Sequence, residues 1–325
     1  MRKIKKIVIQ KILPFIINKL KIQKDDFSHY KYFNVWQKNG FHITPNHFYQ
    51  PIPDTSKLSS TLFKKKSKMV GVDMNKVSQS KLLNSFSKFR GEYKHFKELS
   101  KSIDDQKDPK FYFGNLAFDN VDALSYYSMI RLFKPRRIVE VGSGWSTKIA
   151  AAAALANKKT ELVIIEPFPQ PILQKGFPGL TKVTKKRVQD IPLTFFDSLN
   201  GNDMLFIDSS HTVKTGGDVN YLLLEVIPRL QKGVFVHVHD IFFPYDYPKK
   251  WVLDEHRFWA EQYLLQAFLS FNDSFEVVYC SSYMADNFPA KVKKAFPGRK
   301  TIKGGSIWIR RTENFNTEGK SSRKV

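Results

Sequence analysis

Four side chains able to move protons or bind ions stand in two tight groups, Asp208 with His211 and His239 with Asp240. Each group ends an apolar run, Met204-Leu205-Phe206-Ile207 in the first case and Val234-Phe235-Val236-His237-Val238 in the second. Imidazole titrates near neutral pH, so His211 or His239 is suited to take a proton from a reacting hydroxyl. His237 shares a strand face with His239, and hydrogen bonding beneath a covering helix explains it better than chemistry does. His211 has a second reading as a cap for the helix that starts near Gly217. Upstream, Arg136-Arg137-Ile138-Val139-Glu140-Val141-Gly142-Ser143-Gly144-Trp145-Ser146-Thr147 reads as a buried strand, a glycine turn and the start of an alanine-rich helix. Gly142 and Gly144 let the backbone approach a ligand, and the helix aims its free N–H groups at it.

These groups need a scaffold that brings strand ends together. Glu161-Leu162-Val163-Ile164-Ile165-Glu166 reads as a second strand with a carboxylate at its tip, 26 residues after Glu140. That acid is suited to accept hydrogen bonds from both hydroxyls of a ribose. Val183 to Asp190 reads as a third, short strand, Asp203 to His211 as a fourth, Gly233 to Asp240 as a fifth and Gly305 to Arg310 as the closing one. In open α/β sheets ligands bind beyond the carboxyl ends of the strands, where these acids cluster.

The pattern strand-Glu-x-Gly-x-Gly, followed in order by these acid-tipped strands, resembles the class I S-adenosylmethionine-dependent methyltransferases over roughly residues 115–311. The resemblance implies an α/β fold of the Rossmann-like doubly wound kind, with a mostly parallel seven-stranded sheet and an N-terminal helical and loop extension. It implies S-adenosylmethionine as cofactor, held by Glu140, Gly142, Ser143, Gly144, Glu166, Asp190 and Asp208. In that family the glycine loop wraps the amino-acid end of the cofactor, and an acid at the position of Asp190 caps the adenine amino group. Metal-dependent O-methyltransferases place one ligand after strand four and two adjacent ones after strand five. Asp208, His239 and Asp240 fall at those positions, implying Mg²⁺ or Mn²⁺. The histidine departs from the pattern, because magnesium prefers oxygen ligands. Without a metal, His211 or His239 would be the base, with Asp208 beside it.

Asp208-Ser209-Ser210-His211 and His239-Asp240-Ile241-Phe242-Phe243-Pro244-Tyr245-Asp246-Tyr247-Pro248, with His47-Phe48-Tyr49 upstream, resemble a bacterial O-methyltransferase-like group near the broad family that includes small-molecule and sugar-modifying enzymes. A small-molecule or saccharide acceptor is therefore expected. Its binding is assigned to Tyr245, Tyr247, Trp251 and Arg257, and to His47 and Tyr49 in the aromatic, proline-containing stretch from Phe33 to Asp54. Tyr, Trp and Arg in a cleft stack on rings and donate to hydroxyls. An RNA or DNA methyltransferase, suggested by charge, and a non-catalytic or NAD-binding Rossmann protein are the competing readings. Against the first, no amino-methylation motif, motif-IV cysteine or RNA module is visible. Glu140 and the acid of strand four argue against the second.

The 325 residues carry a net charge of +23 and a single cysteine, Cys280, which rules out an internal disulfide framework and fits a reducing, cytoplasmic setting. Residues 1–24 contain eight Lys or Arg and no acid, with Ile4, Ile7, Val8, Ile12, Phe15, Ile16 and Leu20 mostly three or four apart. Such a segment suits the anionic inner face of a membrane, as a peripheral contact, and is too interrupted to span it. Packing on its own domain is the alternative, and Pro14 is expected to kink the helix. The expected organisation is a basic amphipathic segment (1–24), a substrate-side or lid extension (25–114), a methyltransferase domain (115–311) and a disordered tail (312–325). Within the extension, Ser78 to Lys110 reads as one or two exposed helices. Asp119 to Phe133 reads as an amphipathic helix.

Overall fold

The structure, a computed structural model, describes residues 8–19, 33–44, 46–100, 102–104 and 106–314. Residues 1–7 and 20–24 of the basic segment, and 315–325 of the expected tail, lie outside the described residues. The chain divides into two units, Met1–Ser59 with Val252–Phe258, and Ser60–Trp251 with Trp259–Val325.

The larger unit is built on seven strands: β1 Arg137–Val141, β2 Glu161–Ile165, β3 Lys182–Thr184, β4 Met204–Ile207, β5 Phe235–His239, β6 Phe275–Cys280 and β7 Ser306–Arg311. Their spatial order is β3-β2-β1-β4-β5-β7-β6, parallel throughout except for β7, which runs against both its neighbours. The direction of winding reverses between β1 and β4, and a sheet of this kind opens a crevice at that point.

Alternation along the strands sorts side chains into two cores. Val139, Val141, Leu205, Ile207, Val236 and Val238 pack on one face with Leu222, Val226 and Leu265. Ile138, Met204, Phe206 and Phe235 pack on the other with Leu83, Leu124, Ile130 and Ile149. The second face is covered by helices α1 (Lys76–Phe86), α2 (Asn120–Phe133) and α3 (Trp145–Asn157); α4 (Glu261–Leu269) lies on the first. Both faces being covered explains why the strands read as continuous apolar runs.

Several expectations change in detail. The 78–110 stretch is not a pair of exposed helices, because Leu83, Phe86 and Tyr93 are buried and the chain then turns to extended structure at Lys97–Glu98. In α2 every residue from Val121 to Ile130 is buried, so it is a core helix and not an amphipathic one. Strand β6 was not singled out in the sequence. In the smaller unit, Phe33–Lys38 is a helical turn ahead of the prolines. Pro14 lies inside a continuous helical run, at the second position of the α-helix Leu13–Lys19, and the turn just ahead of it, Val8–Ile12, is a wide π-helical one.

The amino ends of the strands are tied by Asp203. Its buried carboxylate accepts from the Arg137 N–H (2.8 Å), the Asn200 N–H (3.0 Å) and the Arg136 guanidinium (3.0 Å). Its own carbonyl accepts from the Phe235 N–H of β5. Asp203→Ala leaves two backbone donors unpaired and is expected to lower stability by about 2–4 kcal/mol. Urea unfolding checks this, and cofactor affinity of the folded fraction should be unchanged because the crevice lies at the other end of the sheet.

Candidate active site

The glycine turn after β1 is set by a close approach between two backbones. Gly142 has φ +87°, and a Cβ there would stand 1.9 Å from the carbonyl oxygen of Asp208. The Asp208 N–H donates to Val141 O (2.9 Å), and the Gly142 N–H donates to Ile165 O (3.1 Å). The loop is thus bonded to the ends of both β2 and β4. Glu140 is fully buried, and its carboxylate accepts from Ser146 Oγ (2.6 Å), Thr147 Oγ1 (2.7 Å) and Tyr126 Oη (3.3 Å). Burial pushes its pKa up to about 7, against the pull of these hydroxyls. Expected to touch the cofactor, Glu140 instead joins β1 to the first turn of α3 and so shapes the loop. Ser143 and Gly144 lie in that loop, half-buried, with the Gly144 N–H given to Thr147 Oγ1.

Beside the loop lies a cleft of about 410 Å³ lined by Gly142, Glu166, Phe168, Val188, Asp208 and Ser210, among others. Its size is that of a small-molecule site. Glu166 accepts from the Phe168 N–H (2.8 Å), and the Phe168 ring is 87% exposed at the rim. Asp190 does not line this cleft. It is exposed and held in a two-bond pair by Arg187, at 2.9 and 2.8 Å, which keeps its carboxyl below the usual range. Arg187 and Gln189 line the cleft in its place. A second cavity, about 450 Å³, lies over the outer side of α3 between Phe96, Phe111 and Phe177, away from the strand tips.

At the carboxyl ends of β4 and β5, Asp208, His211, His239 and Asp240 converge. His211 Nε2 lies 3.3 Å from Asp208 Oδ1 and 3.5 Å from Asp240 Oδ2. His239 Nδ1 lies 3.5 Å from Asp208 Oδ1 and 3.7 Å from Asp240 Oδ1. Asp240 and His211 both adopt left-handed backbone, φ 58° and 57°, which turns their side chains into the cluster. The ligand atoms of Asp208, His211 and Asp240 all fall within 4.8 Å of one another, the spacing one ion requires. The group with metal-ligand spacing therefore contains His211 where the sequence pointed to His239. His211 does not cap the helix after Gly217, whose first residue, Asp218, instead accepts from Ser210 N and Oγ.

Two further buried carboxylates stand behind the imidazoles, and neither was singled out in the sequence. Glu261, the first residue of α4, holds His211 Nδ1 at 2.8 Å. Asp122, in the first turn of α2, is 3.9 Å from His239 Nε2 and is fixed by Ser281 Oγ (2.6 Å) and the Gly305 N–H (2.8 Å). Burial alone would lower both histidines. The hydrogen bonds of Asp208 and Glu261 raise His211 to about 10, and the charges of Asp240 and Asp208 raise His239 to about 9. Burial would raise Asp208, yet the two imidazoles draw it well below the carboxylate range. His237 is different. It stacks on Phe206 at 4.1 Å in the apolar core, where burial drives its pKa far down and keeps the ring neutral.

The expected acceptor residues are distributed unevenly. Trp251 packs edge-on against Phe242 and Trp259, and Trp259 lies over His211 at 4.3 Å, so this aromatic chain leads to the cluster. Tyr247 is only 2% exposed, and its hydroxyl accepts the Gln262 N–H, which makes it part of the core. Tyr245 donates to Asp286 Oδ1 (3.0 Å) beside Lys66, a surface contact. Arg257, His47 and Tyr49 belong to the smaller unit, where Arg257 pairs with Glu255 at 2.7 Å and the His47 ring lies tilted against Phe48 and Tyr49.

The two imidazoles make a pH prediction. Their folded pKa values stand above the 6.5 of an unperturbed histidine, so the folded state binds these protons more tightly than the unfolded chain. Their contribution to stability is full below pH 6.5 and is lost as pH rises through about 9 to 10. In chelator-treated protein the melting temperature should fall across that window. Glu261→Gln should move the start of the fall to lower pH, because His211 loses a charged partner. A flat profile in scanning calorimetry would contradict the assignment.

Comparison with known proteins bears on identity. A family model for a methyltransferase domain matches residues 139–241, from β1 to the residue after Asp240. An uncharacterized protein of Archaeoglobus fulgidus is 32% identical over 167 residues, covering 49% of this chain and 74% of that protein. Among solved structures, the O-methyltransferase TomG of Streptomyces achromogenes, in complex with S-adenosylmethionine, is 16% identical over 80% of this chain and 99% of its own, with a TM-score of 0.39. The plantazolicin methyltransferase BamL is 11% identical over 74% and 100%, with a TM-score of 0.40. The domain match covers the strands that build the cleft and the acid–imidazole cluster. The chain belongs to the class I S-adenosylmethionine-dependent methyltransferases.

Proposed function

We propose that the protein methylates a hydroxyl oxygen of a small-molecule or saccharide acceptor, with the acid–imidazole cluster as the acceptor-activating site. One observation carries this reading: Asp208 both lines the cofactor cleft and belongs to the cluster. A hydroxyl bound at the cluster therefore stands beside the cleft, as methyl transfer requires. Two carboxylates and one imidazole at ion-binding spacing fit a divalent cation, and the nitrogen donor favours Mn²⁺, Fe²⁺ or Zn²⁺ over Mg²⁺. When bound, such a cation would polarise the acceptor hydroxyl and lower its pKa.

The chain's own residues supply the rest. Glu261 fixes the tautomer and angle of His211, leaving Nε2 aimed at the two aspartates. Nδ1 of His239 is buried and faces Asp208 and Asp240 without a hydrogen bond of its own. With its pKa raised to about 9 the ring is an imidazolium at neutral pH, so it is placed to accept the hydroxyl proton only after giving up its own, at alkaline pH or where a bound cation would offset the two aspartates. When bound, S-adenosylmethionine would supply the methyl group, its C–S bond being exchanged for the new C–O bond and the neutral S-adenosylhomocysteine being released. Phe118, edge-on to His239 at 4.9 Å, and Trp259 over His211 keep water from the imidazoles. The net charge of +23 favours a nucleic-acid acceptor as the second reading. Tight RNA binding that weakens steeply with salt would replace the first by the second.

Gly142→Val should abolish measurable S-adenosylhomocysteine binding in calorimetry, because the new Cβ meets the Asp208 carbonyl and the loop must move. Unchanged affinity would remove the cofactor site from this cleft. A screen of hydroxylated acceptors with labelled cofactor tests the reaction. Activity should vanish with chelator and return best with Mn²⁺. Asp240→Asn should lower turnover by about a hundredfold or more while leaving S-adenosylhomocysteine affinity nearly unchanged. Full activity after rigorous demetallation would refute the metal.

A further inference from the structure

The smaller unit contains a helical segment whose surface the catalytic site does not explain. Residues Val8–Ile12 form a wide helical turn that continues as the α-helix Leu13–Lys19. Ile9, Ile12, Leu13 and Ile16, spaced three and four apart, make one stripe, flanked by Val8 and Phe15. All six are exposed, from 41% for Val8 to 61% for Phe15. An apolar stripe of this length left in water calls for something to cover it. Charge identifies the cover. Residues 1–24 carry eight Lys or Arg and no acid, and Lys19 Nζ lies 5.9 Å from the Phe15 ring centroid, at the edge of the stripe. A second copy of this chain would bring the same positive charge against itself. An anionic surface with an apolar interior matches both properties at once.

We propose that this segment docks the protein on an anionic lipid bilayer, lying in the headgroup plane with the Ile9-Ile12-Leu13-Ile16 stripe turned to the acyl chains. It lies on the surface and does not cross: no described helix is long and apolar enough to span a membrane. The lysines contribute long-range attraction to anionic headgroups, which weakens as salt screens it. The stripe contributes the salt-resistant part of the affinity. The residues lining the cofactor cleft all belong to the larger unit, so docking and cofactor binding can be tested separately. The proposal is independent of the acceptor's identity.

Co-sedimentation of the full chain with vesicles tests this. Vesicles of phosphatidylcholine with about one third phosphatidylglycerol should carry the protein down, and vesicles of phosphatidylcholine alone should not. The double variant Ile12→Glu and Ile16→Glu should weaken anionic-vesicle binding by about tenfold or more, with S-adenosylhomocysteine affinity and circular dichroism unchanged. These substitutions are on exposed positions, so loss of fold is not expected to obscure the result. Wild-type failure to bind the anionic vesicles would overturn the proposal, as would equal binding by the double variant. A wild-type dimer in gel filtration that the double variant abolishes, with no vesicle binding by either, would assign the stripe to a second copy instead.

Discussion

The carbonyl oxygen of Asp208 occupies the space where any side chain at position 142 would stand. That contact, with the hydrogen bonds from Asp208 to Val141 and from Gly142 to Ile165, locks three strand ends into one unit. The cofactor loop, the tip of β2 and the acid after β4 cannot move independently. Glu140 completes the lock from below by gripping the first turn of α3 through two hydroxyls. The crevice is therefore shaped before any ligand arrives, and binding need not order the loop.

The acid–imidazole cluster depends on that lock for position and on a buried outer ring for chemistry. Two imidazoles face two aspartates, and each imidazole is backed by a carboxylate from a different helix, α4 for His211 and α2 for His239. An isolated buried imidazole would be neutral, as His237 is, two residues away on the same strand. The contrast between His237 and His239 is one of neighbours and not of strand position: only His239 faces carboxylates that favour its charged form.

Much of this was legible from local patterns. Apolar runs ending in acids and a glycine turn ahead of an alanine-rich helix gave the strands, their order of appearance and the cleft-lining residues Gly142, Glu166 and Asp208. Much of what escaped depends on contacts distant in sequence. Glu261 and Asp122 look like ordinary acids in first helical turns, where the macrodipole alone accounts for them. Asp190 looked like an adenine cap, but nothing local reveals that Arg187, three residues before it, takes both oxygens. Tyr247 read as a cleft residue, yet its ring is needed under the start of α4. The alternation Phe275-Glu276-Val277-Val278-Tyr279-Cys280, broken by an irregularity between Val277 and Tyr279, carried a strand signal too weak to stand out.

The stretch between β5 and α4 is fastened at both of its ends and by different partners. Ile241 N–H donates to Gly305 O, while the N–H groups of Ala260 and Glu261 both donate to the carbonyl of His211. Exposed positions between those anchors, such as Lys249, Asp254 and Glu255, can change without displacing the imidazole or the aspartates, whereas Tyr247 and Trp259 cannot. Between two fixed ends, such a stretch can vary at its exposed positions while the acid–imidazole centre it spans stays in place.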